Sequence, residues 1–376
     1  MSGQPSSKNK KVLRCGITTG ACAAGAAYAA ARLLHGGETL REAVIYNPNG
    51  DPIKIDIKSV ELIGDGARAV VVKDGGDDPD VTHGLDIVVD IFPASAGGVT
   101  LKGGPGVGRV TRPGLQVPVG QPAINPVPAR MIAAALARAM PGDAGVEVII
   151  SVPGGEEVAP RTLNPRLGIL GGISILGTSG IVRPMSEEAF KESLVPLVRQ
   201  AVALGHRRVV LTPGRMGQQA AEKQYGFNPE TVLEMSNFVG FMLDCCLDHG
   251  IEEVLLWGHV GKLVKVAGGI FHTHSRMADA RREIIAAHAA LHGADSKFVG
   301  EIMGANTLEG LVADMESRGF GFLFSHLAEI ASKKAGEHIK GSMTIGTAML
   351  AMDGRVLGLD RAARDIGEAL GCTKLP

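Results

Sequence analysis

The chain has 376 residues, with 38 basic and 39 acidic side chains giving a formal net charge of −1. That length buries roughly three quarters of the unfolded surface, enough for two domains, and so balanced a charge sets up no field for a polyanion, which excludes duplex nucleic acid as an expected partner. Five cysteines (Cys15, Cys22, Cys245, Cys246, Cys372) without C-x-x-C spacing argue against a disulfide framework or a structural zinc site.

In chain order, residues 1–12 read as a disordered polar tail with no apolar leader segment. Residues 13–185 read as a mixed domain. A helix is predicted from Thr19 to Leu34, with Thr18 or Thr19 as N-cap and Gly36 or Gly37 closing it. β-Branched and alternating runs follow at 52–62, 67–74 and 85–92, and later in "GVEVIISVP" and "GGISILGT". From 186 to 340, long helical patterns alternate with short, fully apolar strands, "RRVVLTP" and "EEVLLWG" among them, and "TVLEMSNFVGFMLDCCLDHG" reads as one helix. Such alternation implies right-handed crossovers and a buried parallel sheet whose ligand site lies beyond the carboxyl ends of the strands. Residues 341–376 read as a hairpin turning at Asp353-Gly354 and a helix, with a return to the first domain left open. The expected fold class is α/β: a mixed α+β N-terminal domain and a Rossmann-like second domain. The longest small apolar run, Ala21–Ala31, is too short to span a bilayer, so a cytoplasmic protein with no membrane contact is expected.

Several stretches could carry chemistry. The 52 glycines are about twice ordinary usage and cluster at the ends of apolar segments. In "VVLTPGRMG", Gly214 and Gly217 follow a strand directly, which suits a nucleotide or simply a tight turn. G-x-x-G-K at Gly258–Lys262 lacks the spacing of an ATPase phosphate loop. Lys262 and Lys265 share one side of a helix and could hold ligand carboxylates or be solvated. His259 and His274 are open to proton transfer or substrate orientation. The pair His288 and His292 lacks the glutamate of a zinc protease helix, so no protein metal site is expected. Asp77, Asp78 and Asp80 crowd a loop where neighbouring carboxylates could raise one another's pKa and supply a general base. Prolines 118, 122, 126 and 128 make a rigid wall that would present Asn125 in a fixed orientation.

Taken together, "LRCGITTGACAA" from Leu13, "KDGGDDPDVTHG" from Lys73, "GPGVGRVTRPGLQVPVGQPAINPVP" from Gly104, "ISVPGGEEVAPRTLNPRLGILGGISILGTSGIVRPMS" from Ile150, "MSNFVGFML" from Met235 and "GKLVKVAGGIFHTHSRMADAR" from Gly261 resemble the CbiD family. These are the cobalt-precorrin-5B C1-methyltransferases of anaerobic cobalamin biosynthesis. The resemblance implies methyl transfer from S-adenosylmethionine to C1 of cobalt-precorrin-5B, giving cobalt-precorrin-6A, with cobalt entering only as part of the substrate. Catalysis would then be mostly positioning. On this reading Thr212, Gly214, Gly217, Ser236, Asn237 and Gly258 hold the cofactor. Thr18, Thr19, Asn125, Arg183, Lys262, Lys265, Thr273 and Arg281 face the carboxylate-rich substrate, and His259, His274 and the Asp77/Asp78/Asp80 loop orient it or accept a proton. The only partners expected beyond the corrinoid are neighbouring pathway enzymes in transient contact, and the oligomeric state is not set by the sequence. A reductase of the same pathway or a non-catalytic tetrapyrrole carrier are the alternatives, although the G-x-G-x-x-G of a nicotinamide-binding reductase is missing.

Overall fold

The computed structural model describes residues 13–140 and 145–376, so the tail expected over 1–12 lies outside the described residues. The protein is mixed α/β and divides into two compact units, one ending at Ala189 and the other spanning Phe190–Pro376.

In the first unit, helix α1 (Thr19–Gly36) runs through the core. Thr18 Oγ1 accepts from the Ala21 N–H at 3.2 Å, and Gly37, at φ 67°, closes the other end. Alanine combines high helix propensity with a side chain small enough to be approached on every side. Ala21, Ala23, Ala24, Ala26, Ala27, Ala29, Ala30 and Ala31 are fully buried. Strands β1 (Glu42–Tyr46) and β2 (Pro52–Asp56) form a hairpin. β3 (Ser59–Ile63) joins β4 (Gly66–Val72) and β5 (Asp86–Ala94) in a separate sheet, so the run expected over 52–62 is two strands rather than one. That sheet is completed by β6 (Val99–Gly103) and, after helix α2 (Pro126–Ala139), by β7 (Gly145–Ser151), in the order β3-β4-β5-β7-β6. Only the β7–β6 pair is parallel. Inward residues alternate along it, as Ala67, Ala69 and Val71 do against α1. Part of the glycine excess is explained by backbone crossing backbone: a β-carbon on Gly106 would lie 1.8 Å from the Val152 carbonyl oxygen.

The second unit holds all but the first turn of α3 (Glu187–Ala203), followed by β8 (Arg208–Thr212). The single helix expected over 231–250 is instead β9 (Val232–Glu234), a turn, and α4 (Val239–Asp248). Val232 and Leu233 pair in parallel with Val210 and Leu211, and the ladder outweighs helical periodicity because both apolar residues are buried there. β10 (Glu253–His259) runs into α5 (Val260–Ala267), followed by α6 (Arg281–Leu291), α7 (Ser296–Gly304), α8 (Leu308–Ser317) and α9 (Leu323–His338). β11 (Thr344–Leu350), β12 (Val356–Leu359) and α10 (Arg361–Ala369) end the chain. The sheet order is β9-β8-β10-β11-β12, parallel except for the last pair. The C-terminal hairpin therefore belongs to the second sheet, where β11 pairs with β10 over seven positions, and does not return to the first domain.

Alternation along these strands sends side chains to two faces. Leu255, Trp257, Ala348 and Leu350 pack with Phe227 and with Ala363 and Ile366 of α10. On the opposite face, the Thr347 hydroxyl meets Ser332 of α9 at 2.8 Å. Helices thus cover both faces, and polar residues are carried by the loops that leave the carboxyl ends of the strands.

Candidate functional site at the carboxyl edge of the second sheet

The loops leaving β8, β9 and β10 meet at this edge. Thr212 is fully buried, and its hydroxyl donates to the Gly214 carbonyl at 3.2 Å. Gly214 itself is open, since a β-carbon there would meet nothing within 4 Å. Gly217 differs. A β-carbon on it would lie 2.2 Å from Thr212 Oγ1, and its carbonyl accepts from Trp257 Nε1 at 3.1 Å, so this glycine serves helix–strand packing. Gly258 is likewise required by the Pro213 ring, 2.5 Å from a β-carbon at that position. Packing against the Thr212 side chain and the Pro213 ring therefore accounts for the choice of glycine at both positions, beside the cofactor role expected of them.

Ser236 adopts φ 51°, a left-handed conformation uncommon for a residue with a side chain and one that recurs at functional turns. Its neighbour Asn237 accepts from Lys262 Nζ through Oδ1 and from the Thr273 N–H at 2.9 Å through its carbonyl. The 271–274 segment is thereby pinned to the turn, with Phe238 and His272 forming a bridge. Lys262 is half-buried, and burial, then the nearby Lys265 and Arg281 charges, lower its pKa.

Lys265, expected to clamp substrate, is enclosed by protein. It is 2% exposed, and its ammonium donates to the carbonyls of Thr273 at 3.1 Å and Ala278 at 2.8 Å. Thr273 is buried as well, with a hydroxyl that has no partner among the described residues. His274 is partly exposed, and its Nδ1 accepts from the Arg276 N–H at 3.1 Å. Arg281 forks the Asp279 carboxylate at 2.5 and 2.8 Å, so a ligand carboxylate would compete with that pair.

His259 ends β10 and caps α5. Its Nδ1 accepts from the Gly261 N–H at 3.1 Å, and its Nε2 lies 3.0 Å from Glu309 Oε1. Burial lowers its pKa despite that carboxylate. His259 and Glu309 line a cleft of 260 Å³ with Val312, Ala351, Met352 and the ion-paired Glu316 and Arg355. Glu309 carries no sequence signal, because it stands fifty positions from the histidine it meets. His288 and His292 instead pack their rings against His326.

The first-unit candidates have largely structural partners. Thr18 caps α1, while the Thr19 hydroxyl donates to Ser174 O at 3.1 Å and accepts from Leu176 N at 2.9 Å. Asn125 occupies the N-cap position of α2 with no side-chain cap bond, and its N–H reaches Ile175 O at 2.9 Å. Arg183 is exposed. Asp77 accepts from the Arg14 N–H and Asp78 from the Met185 N–H. Asp80 pairs with the buried Lys73 at 2.6 Å and accepts from Thr82. At Asp80 the expected rise is reversed: its pKa is lowered, the bonds to Lys73 and Thr82 outweighing burial, and Arg14 holds Asp74 at about 2. Burial pushes the Cys22 thiol up to about 12, as suits a packing residue.

A parallel sheet covered by helices on both faces, with polar loops and a cleft at its carboxyl edge, defines an α/β protein of the class that binds small molecules at that edge. The family model described as CbiD matches residues 6–184, and that described as CbiD, C-terminal domain, matches 272–361. A cobalt-precorrin-5B C(1)-methyltransferase from Moorella thermoacetica is 52% identical over 359 residues, covering 94% of this chain and 97% of that protein. Proteins of the same name from Desulfitobacterium hafniense and Methanocaldococcus jannaschii are 48% and 44% identical, covering 96% and 93% of this chain and 93% and 97% of their own lengths. A crystal structure of the cobalamin biosynthesis protein CbiD from Archaeoglobus fulgidus is 30% identical, at a TM-score of 0.39, over 72% of this chain and 84% of that one. The chain belongs to the CbiD family. No helix among the described residues is long and apolar enough to cross a membrane.

Proposed function

We infer that this chain is a cobalt-precorrin-5B C1-methyltransferase of anaerobic cobalamin biosynthesis. The observation that carries the reading is 44–52% identity to three proteins of that name along at least 93% of the chain. S-Adenosylmethionine, as methyl donor, supplies an electrophilic methyl group on a sulfonium. The second unit offers openings for parts of such a ligand: Gly214 is open above its backbone, and a separate cleft of 260 Å³ lies beside His259.

Gly214, Ser236 and Asn237 hold the donor at the ends of β8 and β9, and His274 orients the reacting partner. Lys262 and Arg281 meet substrate carboxylates, the arginine offering a two-point contact. Sites for drug-sized ligands span about 300–1,000 Å³. The cleft is smaller, so a cobalt macrocycle sits outside it and only a smaller group enters. Attack of a ring carbon on a sulfonium methyl is an in-line displacement. It needs donor and acceptor held about 3–3.5 Å apart and no covalent enzyme intermediate.

Incubation with methyl-labelled S-adenosylmethionine and cobalt-precorrin-5B tests this reading against the other two. A methyltransferase moves label into the ring at C1; a reductase consumes nicotinamide without moving label, and a carrier does neither. Absence of label in the ring, with intact substrates and folded protein, would overturn the assignment.

A further inference from the structure

We propose that Glu309 is the residue that reads the positive charge of the methyl donor, with His259 as the positioning residue that holds it. This rests on the methyltransferase reading above and adds to it a side chain and a basis for discrimination.

The argument starts from the two nitrogens of His259. Nδ1 accepts from the Gly261 N–H at 3.1 Å and therefore carries no proton. The neutral ring has its proton on Nε2, which points at Glu309 Oε1 3.0 Å away. The contact is thus a donation from a neutral imidazole to a carboxylate, which fixes the carboxylate without cancelling its charge. Glu316, on the same cleft, is neutralised by a two-point contact with Arg355 at 2.7 and 3.3 Å. Arg281, a cation within electrostatic reach of Glu309, is already forked by Asp279. Glu309 and Asp353, the latter accepting from the Arg355 N–H at 2.9 Å, are left as negative charges on a 260 Å³ space at the carboxyl edge of the parallel strands, and Glu309 is the one fixed by the His259 ring, across from the apolar Ala351 and Met352. That combination suits a compact cation carrying methyl and methylene groups, which is what a sulfonium is. It does not suit a substrate carboxylate. Once the methyl group has left, the sulfur is a neutral thioether, so Glu309 would hold the spent cofactor more weakly than the donor and assist its exchange.

The test is calorimetric and needs no corrin. Full-length parent, Glu309→Gln and Glu309→Asp are titrated with S-adenosylmethionine, with neutral S-adenosylhomocysteine and with sinefungin, which has an amine where the sulfonium methyl stands. The parent should bind the two cationic ligands about tenfold more tightly than the thioether, the order expected for one charge-assisted contact in a partly open cleft. Glu309→Gln should bring the three to within about twofold while leaving the thioether affinity unchanged, and Glu309→Asp should recover part of the preference. A parent-like preference in Glu309→Gln overturns the proposal and leaves the methyltransferase reading standing. An equal loss of all three ligands also overturns it, because that is the signature of a structural role. A parent that binds none of the three removes the cofactor half of the functional reading itself.

Discussion

His259 combines a structural and a chemical duty at one imidazole. Its unprotonated Nδ1 caps α5, so protonating it removes the cap. The sign follows from its lowered pKa. The unfolded chain takes a proton first as pH falls through the ordinary value of 6.5, and stability is lost from there down to the folded pKa. His259→Asn, which keeps a capping side chain that does not titrate, should flatten the fall in melting temperature between pH 7.5 and 5.5. An identical slope in the variant would show that the cap does not feel the proton. The two glycines of the β8 turn separate in the same way. Gly217→Val forces a β-carbon against Thr212 and should cost about 1–3 kcal/mol by chemical denaturation. Gly214→Ala meets no atom and should keep stability while lowering cofactor affinity. The sequence presents these glycines as equivalent, because spacing records where backbone turns and not what stands over it.

At the scale of elements, two segments are held by buried lysines. Lys73, 2% exposed, has Asp80 as its carboxylate partner, and removing one member of a buried pair typically costs about 3–5 kcal/mol. Asp80 is itself partly exposed, so Asp80→Asn should fall at or below the lower end of that range, read as a shift of the denaturation midpoint with an unchanged slope. Were the loop a catalytic base instead, turnover would fall with stability untouched. Lys265 ties the 270–279 segment through two carbonyls, and Lys265→Met should speed hydrogen exchange there well before it affects α5. Helix α1, capped by Thr18 and closed at Gly37, was readable from its residues because caps are local. The strand Val232–Glu234 was not, since the β8 partner that makes it a strand lies some twenty residues earlier.

For the whole molecule, the two units carry different acid sensitivities. The lowered histidines, His259 and His288, are both in the second unit and lose their contribution as pH falls from 6.5 towards their lowered pKa. In the first unit Asp74, held at about 2, contributes above its ordinary 3.8 and loses that contribution as pH falls towards 2. Trp257 is the sole tryptophan and sits in the core of the second unit. Its fluorescence should therefore change at a higher pH than the last part of the far-ultraviolet circular dichroism change during acid titration. Coincident curves would show one cooperative unit instead. The sequence alone determined the alternation of strand and helix that makes the second sheet parallel, the family, and the edge where polar side chains gather, because periodicity, caps and motifs are written along the chain. Only tertiary structure decided which of those side chains is free to meet a ligand. Lys262 finds Asn237 across twenty-five positions and His259 finds Glu309 across fifty. The charge a buried group can keep depends on such partners and on the water they displace, and neither quantity is local in sequence.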